Sequence, residues 1–257
     1  HSEAQAELER ALALDSTQVE SRRLMGLSHL SQRHYSEALA AFQRVIADRP
    51  FHTEAHYNLA SALSALGRRD EAERALARFE MLSERAAQIA RLRRQLDADP
   101  DHLETRLQLA YLYRQLGQNA AALTHYRAAQ LVQPDHLETL VQLSDLLLAE
   151  GETDEALELC QRGSARHPKD IRANKLYFTQ GLIRLRRGQY HQARTDFERA
   201  LDLDPSSAEA WNNLGNALLA LGQTAQAQRA LEAAVNADSN LADAHYNLGS
   251  LFLQQGQ

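Results

Sequence analysis

Side-chain amides recur along this chain at a fixed interval. Gln108 and Gln142 lie 34 residues apart, Asn213 and Asn247 again 34, and Asn58 and Thr179 join the series across two longer intervals. A carboxamide both donates and accepts, so a row of them suits the alternating N–H and C=O groups of an extended peptide. Bond-making chemistry is less in evidence. Among the 11 histidines, His52 and His56 stand four apart, but His52, His102 and His136 occupy one recurring place and read as turn residues. No HExxH, paired CxxC or carboxylate at ligand spacing accompanies them. The lone cysteine, Cys160, excludes a disulfide framework and reads as a packing residue. Without a nucleophile elbow, a Ser/His/Asp order or a phosphate-cradling glycine loop, the residues predict no catalysis, no cofactor and no metal.

Charge narrows the partners. The formal net charge is −6 over 257 residues, whereas a nucleic-acid ligand calls for a basic face. One stretch runs the other way: residues 171–188 hold Arg172, Lys175, Arg184, Arg186 and Arg187 and no acid. Lys169 and Lys175 are the only lysines among 28 cations, an arginine bias that suggests a GC-rich bacterial genome. No apolar run is long enough to span a bilayer. The chain opens His1-Ser2-Glu3 and takes a helical pattern almost at once, which predicts a trimmed N-terminus. The protein is expected to be soluble, and either side of a membrane stays open.

The elements that would position these residues are punctuated regularly. Gly67, Gly117, Gly151, Gly188, Gly222 and Gly256 are spaced 50, 34, 37, 34 and 34 residues apart, and Pro50, Pro100, Pro134, Pro168 and Pro205 keep a matching beat of 50, 34, 34 and 37. Two helical patterns per period of 34 mean helix–turn–helix units stacked on one another. The eighth position of each unit is small (Gly26, Ala60, Ala110, Ser144, Gly181, Gly215, Gly249) and the twentieth is alanine (Ala38, Ala72, Ala122, Ala156, Ala193, Ala227), so two helices can cross closely. Phe42, Leu76, Tyr126, Cys160, Phe197 and Leu231, at position 24, should fill the space beside that crossing. Thr17, Asp101, Asp135 and Ser206, each three residues before Glu20, Glu104, Glu138 and Glu209, have capping-box spacing; Asn240 and Asp243 make a weaker version.

These features resemble the tetratricopeptide repeat over nearly the whole chain. The fullest copy, 208–241, carries Trp211, Leu214-Gly215, Leu218, Gly222, Ala227, Leu231 and Ala234. The resemblance implies an all-α, right-handed superhelical solenoid of helix-turn-helix repeats: a half repeat 2–15, repeats 19–52, 53–86, 103–136, 137–170, 174–207 and 208–241, and a half repeat 242–256. A helical insertion is expected over 87–102. Because Ala72, Leu76, Phe79, Leu82, Ala86, Ile89 and Leu96 keep helical spacing with no turn signal, the spacing predicts one rod from Asp70 to Ala98 whose far end protrudes from the solenoid or bends it.

In such solenoids the first helices line the inner surface, so the resemblance implies a peptide-binding groove carrying Asn58, Gln108, Gln142, Thr179, Asn213 and Asn247 as a polar ladder. Similar ladders hold peptide backbone in O-linked N-acetylglucosamine transferases. Asn212, Asn216, Lys175 and Arg186 would stand beside the ladder, with Tyr57, Phe178 and Tyr246 offering apolar pockets. The clamp for C-terminal carboxylates is not matched, since Arg23/Leu27, Tyr57/Ser61 and Asn212/Asn216 stand where it needs Lys and Asn. The expected function is an interaction scaffold for a protein or peptide partner, without membrane insertion. The alternatives are the substrate-recognition arm of a larger glycosyltransferase- or sulfotransferase-like enzyme, and a homo-oligomerisation module that self-associates head to tail through uncapped ends.

Overall fold

The computed structural model describes residues 6–8, 10, 11, 14, 15 and 18–255. Most of the expected half repeat 2–15, and Thr17, lie outside them. Helices are α1 (Val19–Ser31), α2 (Tyr35–Asp48), α3 (Thr53–Ala65), α4 (Arg69–Ala98), α5 (Leu103–Gln115), α6 (Asn119–Val132), α7 (Leu137–Glu150), α8 (Thr153–Arg166), α9 (Asn174–Arg186), α10 (Tyr190–Leu203), α11 (Ala208–Ala220), α12 (Thr224–Ala237) and α13 (Ala242–Gln254). A 3-10 turn, Ile171–Ala173, precedes α9, and no strand occurs among the described residues. The chain divides into two compact units: His1–Pro100 with Leu112–Gly117, and Asp101–Tyr111 with Gln118–Gln257.

The turns explain the glycine ruler. Gly67, Gly117, Gly151, Gly188 and Gly222 have φ of +65° to +88°, where a Cβ would be strained, and the chain reverses there between two helices. In the first repeat Arg33 holds the same place at φ +62°. Helix starts differ from the expectation. The caps stand one residue later than the capping-box spacing indicates: His136 and Ser207 accept from the backbone N–H of Thr139 and Ala210, and His102 accepts from Thr105 N–H; His52, where the spacing indicates no box, accepts from Ala55 N–H in the same way. The acid three residues on from Asp101 or Asp135 therefore sits at the second helical position, and it does not close a box. In the histidine caps Nδ1 is the acceptor, and the Thr105 and Thr139 hydroxyls lie 2.9 Å from the same nitrogens.

Close crossings form at the small residues. A Cβ on Gly26 would stand 2.8 Å from the Phe42 ring, one on Gly181 2.6 Å from Phe197, and one on Gly215 2.7 Å from Leu231. Position 24 fails only at Leu76, which is 39% exposed. There the core is made by Ala72 and Ala75, while Phe79, three residues on, covers Tyr57 at 5.2 Å between ring centroids.

In the first unit α4 is a single helix of 30 residues, about 45 Å long at 1.5 Å per residue. It ends at Ala98, so the expected helical insertion is too long: 99–102 form the following turn. Nor is its far half free, as the expectation of a protruding end requires. Leu82, Ile89 and Leu92 are buried, and Arg93 lies over the Tyr113 ring at 5.6 Å. Apolar residues at helical spacing covered one face of the extension, and that face packs.

Candidate peptide-binding face

In the second unit the first helices stand side by side: α7 touches α9, α9 touches α11, and α11 touches α13. Their amides are placed by helical register, so one side chain per repeat comes to a similar level. Asn247 Nδ2 donates to Asn212 Oδ1 at 2.9 Å, joining α13 to α11. Asn212 is buried by this arrangement, while Asn216, one turn on, is half-buried. Asn213 Nδ2 donates to the Glu209 carbonyl at 2.8 Å. On α7, Gln142 Nε2 donates to Glu138 at 2.8 Å, and on α5 Gln108 does the same with Glu104 at 3.3 Å. The glutamates expected to cap helices therefore orient amides instead. Thr179 is buried at 6% exposure, which withdraws it from the ladder's surface.

The basic stretch resolves into two kinds of cation. Arg184 Nη1 reaches both carboxylate oxygens of Asp196 at 2.7 Å, the pair largely covered. Burial of Asp196 outweighs the attraction of Arg184 and lifts its carboxyl to about 6. Arg172 pairs with Asp170 at 2.7 Å and, by that hydrogen bond, pulls the Asp170 carboxyl down to about 2. Arg187 pairs with Asp154 at 2.6 Å. Lys175 and Arg186 are exposed and form no ion pair among the described residues.

The aromatic residues divide as well. Phe178 packs on Phe197 at 5.9 Å and lines the core of the second unit, so it walls the face without opening a pocket. Tyr246 is 76% exposed. Tyr57 and Asn58 belong to the first unit; Tyr57 is exposed beside Phe79 and Asn58 is half-buried. In that unit Arg23 is claimed by two acids, donating to Glu20 from Nε at 2.9 Å and to Glu54 from Nη1 at 3.1 Å. The hydrogen bond with Arg23 holds Glu20 below the usual carboxylate range. Glu20, Arg23, His52, Thr53 and Glu54 line a shallow depression of about 470 Å³.

Cys160 and His56 are otherwise engaged. Cys160 is buried, and burial pushes its thiol up to about 12. His56 Nε2 lies 2.9 Å from the Pro50 carbonyl, and burial holds this imidazole below its ordinary value. Trp211 and His245 repeat that ring-to-carbonyl contact with Pro205 and Ser239, at 2.9 and 3.0 Å.

Tetratricopeptide-repeat models match residues 23–88 and 114–177, and a TPR-repeat model matches 181–222 and 215–256. The chain belongs to the tetratricopeptide-repeat family. As a TPR chain it shares its fold with three solved structures of low sequence identity. MamA is 20% identical, over 63% of this chain and 94% of that one, with a TM-score of 0.56. YrrB, described as a TPR protein with an unusual peptide-binding site, is 19% identical over 80% and 96%, with a TM-score of 0.51. The Cut9–Hcn1 hetero-tetramer of the APC/C gives 14% over 97% and 45%, with a TM-score of 0.54. No curated protein matches the sequence.

Sequence reasoning missed the contacts that cross between repeats. Asn212 to Asn247 is one period plus one residue, and Arg23 to Glu54 is three short of a period. Residues at separations near 34, tested as donor–acceptor pairs, would have exposed both.

Proposed function

We propose that this TPR chain is a protein-interaction scaffold that holds a peptide segment of a partner in the groove lined by its first helices. The observation that carries the reading is the run of α7, α9, α11 and α13 side by side, with Asn213 and Asn216 half-buried at its surface. The Asn213 side-chain oxygen keeps its acceptor capacity after Nδ2 is used on Glu209. Main-chain hydrogen bonds to such amides give sequence-tolerant holding, each about 0.5–1.5 kcal/mol. The peptide-binding site of YrrB, a protein of similar fold, supports the same use of the scaffold.

Asn247 is a poor probe, because removing it strands the buried Asn212 oxygen. The test is selection of binders from a random peptide display library, followed by hydrogen-exchange footprinting. Binders should protect α9, α11 and α13 and weaken in an Asn213→Ala, Asn216→Ala double variant of unchanged helicity. Protection confined to the second helices α10 and α12 would overturn the reading.

A further inference from the structure

We infer that α9 carries a two-point site for an acidic peptide, with Lys175 and Arg186 as its poles; the inference rests on the scaffold reading and names the partner's chemistry. The two cations are eleven positions apart, close to three full turns, so they share one side of the helix about 16 Å from each other along its axis. Phe178 and Leu182 lie between them, half-buried against the core. The site is an apolar strip with a positive charge at each end.

Every other first helix lacks this arrangement. The position held by Lys175 is an acid elsewhere: Glu20, Glu54, Glu104, Glu138, Glu209 and Asp243. The position held by Arg186 is Ser31, Ala65, Gln115, Ala149, Ala220 or Gln254. Charge on and beside α9 is also sorted. Arg172, Arg184 and Arg187 are each satisfied by a carboxylate, whereas Lys175 and Arg186 are exposed and pair with no carboxylate among the described residues. The acids on the flanking helices leave them so: Glu138 accepts from Gln142, and neither Glu138 nor Glu209 is in an ion pair with Lys175. An extended strand advances about 3.3 Å per residue and turns alternate side chains to one face. Acids six residues apart, about 20 Å along the strand, therefore share a face and come within reach of the long side chains at both poles, with the two apolar side chains of that face between them on the Phe178–Leu182 strip.

The probe is a fluorescein-labelled peptide, acetylated and amidated at its ends, with two glutamates six residues apart and leucine and phenylalanine two and four residues after the first, on the same face. Fluorescence anisotropy should show it bound by the wild-type chain and about tenfold weaker for each glutamate changed to glutamine. Moving the glutamates to two residues apart should weaken it similarly. Lys175→Glu with Arg186→Glu should abolish binding of the glutamate peptide and confer binding of a lysine counterpart. Arg172→Gln with Arg187→Gln, which removes paired cations of the same region, should leave affinity within about twofold, as expected of charges already neutralised. Equal affinity for glutamate and glutamine peptides, or an equal loss in the Arg172/Arg187 variant, would overturn the two-point site. If library peptides footprint the first helices but the glutamate pair confers no advantage, the acidic class falls and the scaffold reading stands. If nothing footprints there, both fall.

Discussion

Arg23 on α1 and Lys175 on α9 are both cations of a first helix, yet their surroundings differ in kind. Arg23 is held by Glu20 from its own helix and Glu54 from the next repeat, its side chain 17% exposed. Lys175 stands in solvent with no carboxylate of the described residues paired with it. The first arrangement uses charge to join repeats; the second leaves charge for something else. Within one repeat the contrast recurs, since Arg184 is tied down by Asp196 while Arg186, two residues on, is not. A basic stretch is therefore informative only after its internal partners are subtracted.

The largest effect should come from breaking the satisfied side. Asp196→Ala leaves Arg184 covered without its partner, at a cost of about 3–5 kcal/mol in chemical denaturation. The same carboxyl sets a pH sign. Because its folded value is raised to about 6, Asp196 favours the fold below its unfolded range, and that contribution is lost as pH rises through about 6. Stability relative to Asp196→Asn should then increase from pH 7 toward pH 5. His56 has the opposite sign. Its folded value is lowered by burial from 6.5, so its contribution is present above that value and lost as pH falls below it. Stability relative to His56→Gln should decline over the same interval.

A smaller effect concerns the crossings. Gly181→Ala puts a Cβ 2.6 Å from the buried Phe197 ring and should cost about 1–3 kcal/mol. Gly249→Ala meets nothing within 4 Å and should instead stabilise by about 0.5–1 kcal/mol, through helix propensity alone. Arg23→Gln should cost about 0.5–1 kcal/mol, in keeping with exposed partners. Lys175→Gln and Arg186→Gln should each stay within about 0.5 kcal/mol of wild type. A loss at Lys175 equal to that at Arg23 would erase the comparison, because it would show that Lys175 has a structural partner too.

The repeat and its crossings were legible because the same physical demand is written many times. A small residue at Gly26, Gly181 or Gly215, an alanine and then a large side chain recur in one register, and agreement among copies identifies them. What was illegible depends on a side chain's choice among partners. Glu104 and Glu138 could have capped their helices, but with the helix starting one residue later they meet Gln108 and Gln142. His102 and His136 looked like turn residues, and only geometry shows Nδ1 accepting from the helix. Arg184 and Arg187 counted toward a basic face until Asp196 and Asp154, from other helices, were seen to neutralise them. Of the proposed binding residues, Lys175, Arg186, Asn213 and Asn216 keep surface access, whereas Thr179 and Asn212 are buried and Phe178 belongs to the core wall.

The most direct test of the central claim is amide chemical-shift mapping of the chain titrated with the glutamate-pair peptide. The account predicts shifts concentrated on α9 from Lys175 to Arg186 and on the adjoining amides of α11, diminishing as salt is added because exposed charges are screened. Shifts that fall on α10 and α12, or that persist unchanged when the glutamates are replaced by glutamine, would contradict it.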